Sequence, residues 1–296
     1  MDVFITGASG WIGSAAVPEL LAAGHRIRGI ARSAEAADKL RAAGVEPVEG
    51  DLDNLDVLRG EAARAEAVLH LANKHDWSNP AESNRAERAA VQAFATALEG
   101  TGKPFLFASG VALTPGRVLT EADPSPFSGP DAPRGGAEAL AMEYAHSGVH
   151  AVALRFAPTV HGTGGDRGFI AQIARAARER GASAYVGDGT NRWTAVNRLD
   201  AGRLVALALD KAPGGSVVHA VAEEAVTSRT IAEAIGAALD LPVVPIPAEQ
   251  AVEHFGWIGA FFALDIPASS AITRELLGWV PTHPTLAEDI AAGAYT

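Results

Sequence analysis

The sequence predicts an α/β protein with a doubly wound parallel sheet and a smaller C-terminal lobe. Short apolar runs alternate with longer Ala-rich helical segments through the first half of the chain, a pattern typical of strand–helix–strand units. The length of 296 residues, with 48% hydrophobic and 20% charged residues, is enough for a sizeable globular core. We expect residues 1–156 to form the sheet domain and residues 157–296 to form mainly the lobe, with some segments returning to the sheet domain.

Each element is predicted from its local pattern. The strands are short apolar runs, and they cover residues 2–5, 26–30, 46–48, 67–71, 104–108 and 151–155. The helices between them are Ala-rich, and they cover residues 14–23, 34–43, 84–99 and 134–147. In the second region the helices are separated by short strands and Pro/Gly-rich connections, and they cover residues 168–180, 200–211 and 227–239.

Composition excludes several functional classes. The formal net charge is −11 and the basic residues are scattered among acidic ones, which argues against a nucleic-acid partner. The chain has no cysteine, so disulfides, thiolate–metal sites and a cysteine nucleophile are excluded, and we expect no metal site. The first strand begins directly after Met1, and there is no apolar stretch of about 18 residues. We therefore expect a cytoplasmic protein with no membrane partner.

The most informative segment is the glycine-rich turn TGASGWIG at residues 6–13, which follows an apolar run and opens an amphipathic segment. Gly7 allows a tight turn, Gly10 lets backbone N–H groups approach a pyrophosphate, and Gly13 lets the helix pack on the strand. The helix N-terminus adds a partial positive charge. The segment therefore predicts a dinucleotide-binding turn, the alternative being an ordinary glycine-rich loop. The predicted contacts are Gly7, Ser9, Gly10, Trp11, Ile12 and Gly13.

The glycine spacing resembles that of the short-chain dehydrogenase/reductase superfamily. More narrowly, Thr-Gly-x-x-Gly-x-x-Gly is similar to its extended and atypical branches, of the NAD-dependent epimerase/dehydratase type. The resemblance implies a Rossmann domain followed by a substrate-binding lobe, and three further cofactor segments. These are Asp51 and Leu52 beside the adenine, Leu71, Ala72 and Asn73 under the ribose, and Pro158 and Val160 against the nicotinamide carboxamide.

The second strand indicates which nicotinamide cofactor is bound. In this fold an acidic residue at the end of that strand holds the ribose 2′-hydroxyl of NAD. Here the strand leads into Arg32 and Ser33, with no carboxylate. A guanidinium pairs well with a 2′-phosphate and a serine can add a hydroxyl donor, so the residues favour NADP, as NADPH. The alternative for Arg32 is a solvated surface arginine.

The catalytic positions match the family only in part. Family members usually carry a serine or threonine after the fifth strand, then Tyr-x-x-x-Lys. Ser109 supplies the first and could orient a carbonyl oxygen or an imine nitrogen, unless it is a turn or capping serine. The match places Pro130 at the tyrosine and Arg134 at the lysine. Arg134 could bind ribose hydroxyls or be a surface residue, but an arginine is a poor general acid.

Another group must therefore supply the proton that tyrosine would donate. His75 and His161 lie in loops after the fourth and sixth strands, which are expected to open at the carboxyl edge of the sheet. A histidine titrates near neutral pH, so these two are the predicted replacements, with locally bonded histidines or ordered water as the alternatives.

Three residues are predicted to contact substrate. Arg192 lies in a segment that carries substrate contacts in extended members, where an arginine can meet a phosphate. The adjacent Trp193 suggests an apolar pocket wall, although tryptophan is as often core. Trp257 belongs to an aromatic run that is a lid, a subunit interface or simply buried.

Together these features favour an NADPH-dependent reductase acting on a small apolar ketone, aldehyde or imine. Two alternatives stay open: a non-catalytic NADP-binding redox sensor, suggested by the missing Tyr-Lys pair, and a nucleotide-sugar epimerase or dehydratase, which the missing base disfavours. Helices 84–99 and 134–147 pair subunits in many relatives, so a homodimer is possible, although their Ala-rich faces also suit burial within a monomer.

Overall fold

The computed structural model describes residues 1–74, 76, 78–111 and 117–296. Its centre is a seven-stranded sheet of order β10-β6-β5-β4-β1-β2-β3, in which every pairing is parallel. The strands are β1 Asp2–Thr6, β2 Arg26–Ala31, β3 Glu46–Glu49, β4 Ala67–His70, β5 Pro104–Gly110, β6 His150–Phe156, β7 Thr159–His161, β8 Ser183–Val186, β9 Arg192–Asn197, β10 Val217–Ala220, β11 Glu223–Thr227 and β12 Val243–Ile246.

Helices cover both faces of this sheet, which confirms the doubly wound α/β architecture. They are α1 Gly13–Ala22, α2 Ala34–Ala42, α3 Leu55–Arg64, α4 Pro80–Leu98, α5 Ala137–Ala145, α6 Phe169–Arg180, α7 Arg198–Lys211, α8 Ser228–Leu239, α9 Ala251–Phe255, α10 Ile258–Phe262, α11 Ala271–Leu277 and α12 Leu286–Ala291. Among the described residues, no helix is long and apolar enough to cross a membrane.

The sheet separates two apolar clusters, and successive residues of each strand point into opposite ones. In β5, Leu106 joins one cluster while Phe105 and Phe107 join the other, where they pack near Phe94 of α4. Both faces of the central strands are buried, which explains why the sequence shows them as continuous apolar runs.

Residues after β6 contribute to both parts of the molecule. A three-stranded sheet of order β11-β9-β7 and the pair β12-β8 lie outside the main sheet. By contrast, β10 pairs with β6 at the edge of the main sheet. Helix α7 packs on α1 so closely that a Cβ on Gly202 would lie 2.5 Å from the carbonyl oxygen of Ala15. The second half of the chain therefore completes the first domain.

The predicted helix 134–147 is wrong at its start, because α5 begins only at Ala137. Arg134, Gly135 and Gly136 instead form a left-handed turn, with φ of 55°, 62° and 59°. The Arg134 N–H donates to Asn84 Oδ1 at 2.9 Å, and a Cβ on Gly135 would lie 2.4 Å from the Asn84 carbonyl oxygen. The two glycines are needed here, since only glycine adopts this conformation without strain in so little space. Arg134 adopts the same left-handed conformation although its side chain makes that conformation unfavourable.

Candidate active site

The glycine turn packs backbone against backbone. Gly7 has φ of +79°, and a Cβ there would lie 2.7 Å from Ala72 N. The Gly10 N–H donates to the Gly7 carbonyl oxygen at 2.9 Å, and a Cβ on Gly13 would lie 2.1 Å from that same oxygen. Neither Gly7 nor Gly13 can carry a side chain without moving this packing.

Above the turn the surface is open. Ser9 and Gly10 are exposed, Trp11 and Ile12 are half-buried, and α1 begins directly behind them at Gly13 without a side-chain cap. The backbone N–H groups of Trp11 and Ile12 have no acceptor in the described part of the chain. Free N–H groups at a helix N-terminus, above a turn with no side chains in the way, fit a pyrophosphate.

A second segment predicted to contact cofactor lies beside this turn. The Trp11 indole Nε1–H donates to the carbonyl oxygen of Val160 at 2.7 Å, and the neighbouring Pro158 is half-buried. The Arg198 guanidinium lies 4.3 Å from the Trp11 ring centroid, and its Nη2 donates to Ser14 Oγ at 3.2 Å. Arg198 was missed by sequence reasoning, because no local pattern connects the start of α7 with the turn.

The residues expected around the adenine and its ribose lie at the ends of β2 and β3. Arg32 is exposed and forms no hydrogen bond or ion pair with another described residue, whereas Ser33 Oγ accepts the N–H of Ala36 at 3.2 Å and caps α2. Asp51 is exposed and Leu52 is buried. Arg32 is therefore the available cation at this edge, and the Ser33 side chain already has a structural role.

A buried charged cluster lies where β4 ends. Leu71 is half-buried, and Asn73 Nδ2 donates to Glu87 Oε2 at 2.9 Å. Arg134 Nη2 donates to Glu87 Oε1 at 2.5 Å, and His70 Nε2 lies 3.8 Å from Glu87 Oε2. Burial raises the pKa of Glu87, but the charge of Arg134 and the hydrogen bonds from Arg134 and Asn73 bring this pKa below its usual value. Glu87 thus fixes both the segment after β4 and Arg134.

Arg134 reaches from this cluster to the end of β5. Its Nη2 also donates to the carbonyl oxygen of Ala108 at 2.8 Å, next to Ser109. About a third of the Arg134 side chain is exposed. Arg134 and Ser109 line one cleft of about 100 Å³, whose walls include Ser125 and Phe127. The structure therefore brings together two of the four predicted catalytic residues.

Ser109 is held by a carboxylate. Its Oγ–H donates to Glu138 Oε2 at 2.5 Å, and Arg155 donates to Glu138 Oε1 through Nε at 3.0 Å and through Nη2 at 2.5 Å. Glu138 and Arg155 both line the cleft, although each is more than nine-tenths buried. Sequence reasoning missed this pair. The available signal was a charged residue inside the otherwise apolar strand β6, since a buried arginine requires a buried partner.

Behind Arg155 lies a buried histidine. His219 Nε2 is 3.4 Å from Arg155 Nη1, and its Nδ1 is 2.7 Å from the carbonyl oxygen of Ser269. Burial lowers the pKa of His219. A neutral ring with its proton on Nδ1 satisfies both contacts, because Nδ1–H then donates to Ser269 while Nε2 accepts from Arg155.

Of the two predicted histidines, His161 does not line this cleft. His75 lies outside the described residues. His161 is fully buried, with Nδ1 2.6 Å from Asp289 Oδ2 and Nε2 3.6 Å from Glu223 Oε1. A ring sealed between two carboxylates is not exposed to a substrate, so the proposed role of His161 as proton donor does not fit this position.

The three predicted substrate residues differ in exposure and in partners, although the rings of Trp193 and Trp257 both pack against Phe169. Arg192 forms a two-point ion pair with Asp265, at 2.9 and 2.7 Å, on an open pocket of about 520 Å³. Trp193 is 1% exposed, and its ring centroid lies 5.1 Å from that of Phe262, so its position fits the core alternative rather than the pocket wall. Trp257 is 47% exposed, with its ring 5.8 Å from that of Phe169.

A doubly wound parallel sheet, with an open glycine turn at the strand where its order reverses, is the architecture typical of the dinucleotide-binding class of α/β proteins. Comparison with protein-family models assigns the chain to one family within this class of proteins. The model of the NAD-dependent epimerase/dehydratase family matches residues 3–221, and the chain belongs to that family.

The similarity to known proteins extends over most of their length. The chain is 43% identical, over 100% of both chains, to an uncharacterized protein of Schizosaccharomyces pombe. It is 27% identical to 4-hydroxy-2-methyl-3-oxo-4-farnesyl-3,4-dihydroquinoline-1-oxide ketoreductase of Stigmatella aurantiaca, over 86% of this chain and 80% of the other. Among solved structures, UDP-glucose 4-epimerase of Thermotoga maritima with UDP-glucose is similar with a TM-score of 0.74 and 20% identity, covering 100% of this chain and 98% of the other, which shows the fold alone. The family and the ketoreductase relative together support the assignment of this chain as an oxidoreductase.

Proposed function

We propose that this protein is an NADPH-dependent reductase that acts on a small apolar ketone, aldehyde or imine. The observation that carries the proposal is the shared cleft of Ser109 and Arg134, at the end of β5 and beside the segment after β4. In a parallel sheet of this kind, ligands bind outside the carboxyl ends of the strands near the point where the order reverses. The ketoreductase relative supports the same reaction class.

The cofactor would be held by the residues already described. Trp11 and Ile12 N–H groups would bind the pyrophosphate, Asn73 and Pro158 would flank the ribose and nicotinamide, and Arg32 would pair with a 2′-phosphate. When bound, NADPH supplies a hydride.

Arg134 is suited to stabilise the charge that reduction creates. Hydride addition to a carbonyl carbon leaves negative charge on the oxygen. Arg134 Nη2 is committed to Glu87 and Ala108, and among the described residues nothing accepts from its Nε or Nη1. These N–H groups are fixed before substrate arrives, so they stabilise an alkoxide without reorganisation. Ser109 lies on the same wall and positions the reacting oxygen.

The cleft favours a small substrate. Its volume is about 100 Å³, and Phe127 and Val111 give its wall an apolar part. Arg192 is already paired with Asp265, so it is a weak candidate for binding the phosphates of a nucleotide sugar. The epimerase alternative also lacks a tyrosine base, because Pro130 stands at that position.

The first test is oxidation of NADPH by the purified protein against a panel of small aldehydes, ketones and cyclic imines. We expect turnover with at least one apolar substrate. NADPH binding without turnover on any of them would refute the reductase and favour the redox sensor, which the missing Tyr-Lys pair also suits.

The cofactor preference has a separate test. We expect Arg32→Ala to weaken NADPH binding about 10- to 100-fold, because a charge-assisted hydrogen bond contributes about 1.5–3 kcal/mol. NADH binding should not change. Arg41→Ala is the matched control, since Arg41 is an exposed arginine of the neighbouring helix α2. Equal NADPH and NADH affinities in the unmodified protein would refute the phosphate role of Arg32.

A further inference from the structure

We propose that Glu138 is a proton relay for this cleft and acts through the hydroxyl of Ser109. The proposal rests on the proposed reductase function and supplies the step for which the family usually uses tyrosine. Glu138 Oε2 lies 2.5 Å from Ser109 Oγ, a short distance for a hydroxyl–carboxyl contact. Ser109 is half-buried and Glu138 is 7% exposed, so of these two lining residues Ser109 is the more accessible to a substrate in the cleft.

The neighbours of Glu138 fix its orientation. Arg155 donates to Oε1 at 2.5 and 3.0 Å and only at 3.2 Å to Oε2, so Oε2 is the oxygen presented to Ser109. In the described part of the chain, the charged or titratable groups near Glu138 are Arg155 from β6, His219 of β10 beyond it, and Arg134, which lines the same cleft. Glu121 lies farther away, next to His219.

Glu138 is also selected by elimination. The described lining residues with ionisable side chains are Arg134, Glu138 and Arg155. Arginine stays protonated in proteins, so neither guanidinium can donate a proton to an alkoxide. Of these side chains, the carboxyl group is the one whose chemistry allows it both to give and to take a proton.

The relay balances the reaction. Hydride from the nicotinamide adds to the carbonyl carbon, the C=O π bond breaks, and its electron pair moves to oxygen. When Glu138 is protonated, its hydrogen bond to Ser109 reverses, so that Oε2–H donates to Oγ and the Oγ–H turns to the substrate. The substrate oxygen takes that Oγ proton, and Oγ takes the proton of the Glu138 carboxyl group. Glu138 is left as a carboxylate paired with Arg155, and water entering the cleft returns a proton before the next turnover. In alcohol oxidation the same steps run backwards, with the carboxylate as the final acceptor.

This mechanism fixes the sign of the pH dependence. Reduction requires protonated Glu138, so kcat for reduction falls as the pH rises. Oxidation of the corresponding alcohol requires the carboxylate, so its kcat rises with pH. A residue that merely supports the fold would give neither slope.

The experiment compares Glu138→Gln with Glu138→Asp and Ser109→Ala, and uses exposed Glu143→Gln on the same helix as the control. We expect Glu138→Gln to lower kcat for reduction about 100- to 10,000-fold, as for loss of a general acid, and to flatten its pH profile. Glu138→Asp should keep the slope, and Glu143→Gln should behave as wild type. NADPH affinity, measured by fluorescence without substrate, should stay within about twofold in all four variants.

Two further readouts keep the test decisive. Glu138→Gln leaves Arg155 without its buried partner and can fail to fold. Ser109→Ala keeps the ion pair, so it should lower kcat to a similar extent, and the double variant should lose no more than either single one. In the protein without cofactor, a carboxyl C=O infrared band that grows on acidification should be weaker in Glu138→Gln.

The outcomes separate the two proposals. If the wild-type protein turns over substrate and Glu138→Gln or Ser109→Ala retains its kcat and pH slope, the relay is refuted while the reductase stands. If the wild-type protein turns over no substrate in either direction, both proposals are refuted.

Discussion

Substitution of Gly13 by alanine tests how the glycine turn is built. The added Cβ would lie 2.1 Å from the Gly7 carbonyl oxygen and 2.8 Å from Ala8 Cα. Nonbonded heavy atoms are in contact at about 3.5 Å, so the start of α1 must move by more than about 1 Å. Both obstacles are backbone atoms and cannot rotate away. We expect a loss of about 3 kcal/mol, the upper end of the usual cost of overpacking.

The same shift moves the N–H groups of Trp11 and Ile12 away from the proposed pyrophosphate position. We expect NADPH affinity to fall about tenfold or more, since a hydrogen bond to a charged group contributes about 1.5–3 kcal/mol. The measurements are the melting temperature, expected to fall by roughly 6 °C for a chain of this size, and the Kd for NADPH by fluorescence titration.

Gly60→Ala is the matched control. Gly60 lies inside α3, and a Cβ there meets nothing within 4 Å. Alanine is favoured over glycine in a helix by about 1 kcal/mol, so the control should raise the melting temperature by roughly 2 °C and leave NADPH binding unchanged. If Gly13→Ala keeps the wild-type melting temperature and Kd, the close packing described here is incorrect.

Three further predictions concern buried side chains. Trp193→Ala should cost about 3–5 kcal/mol on denaturant unfolding and leave KM unchanged, whereas exposed Trp257→Ala should cost much less; equal stability losses would refute the core assignment. Asp200→Ala should lower the free energy of unfolding by about 3 kcal/mol or more, because the Asp200 carboxylate accepts the N–H groups of Thr282 and His283. The loss of these bonds should also expose residues 279–296 to proteases. The control is Asp210→Ala at the other end of α7, which should resist cleavage as the wild type does. Burial lowers the pKa of His70 below its usual 6.5, so the unfolded chain binds more protons than the folded protein. The melting temperature should therefore decline as the pH falls below about 6.5. The melting temperature of His70→Asn should decline less, and identical curves for the two proteins would contradict this role.

The sequence predicts the sheet well because its signal is local. All six expected strands of the first region form. The central ones among them are buried on both faces and are therefore largely apolar throughout. Helix α3 escaped prediction because its ten residues include Gly60 and several charged side chains around only a few buried apolar positions. The left-handed turn at Arg134 also escaped, although the following pair Gly135-Gly136 was a signal that a helix does not begin there.

The site was harder to predict because its contacts are distant in sequence. Ser109 was found from its place after a strand, but Glu138 and Arg155 became visible as its partners only through the sheet. His161 looks like a loop histidine until Asp289, 128 residues later, pairs with it. A titratable side chain can be located from local pattern, whereas its partners depend on packing between elements far apart along the chain.

Because β10 lies at the edge of the main sheet, the sheet cannot be completed early in synthesis of the chain. The edge of β6 stays unpaired until residues 198–220 have left the ribosome. Until then, the surface of α1 that α7 covers is exposed to solvent. A chain halted near residue 156 would contain the complete glycine turn, but its unpaired strand edge and exposed apolar surface would make it prone to aggregation. Chimeras that exchange the C-terminal lobe should therefore retain α7 and β10 with the N-terminal half.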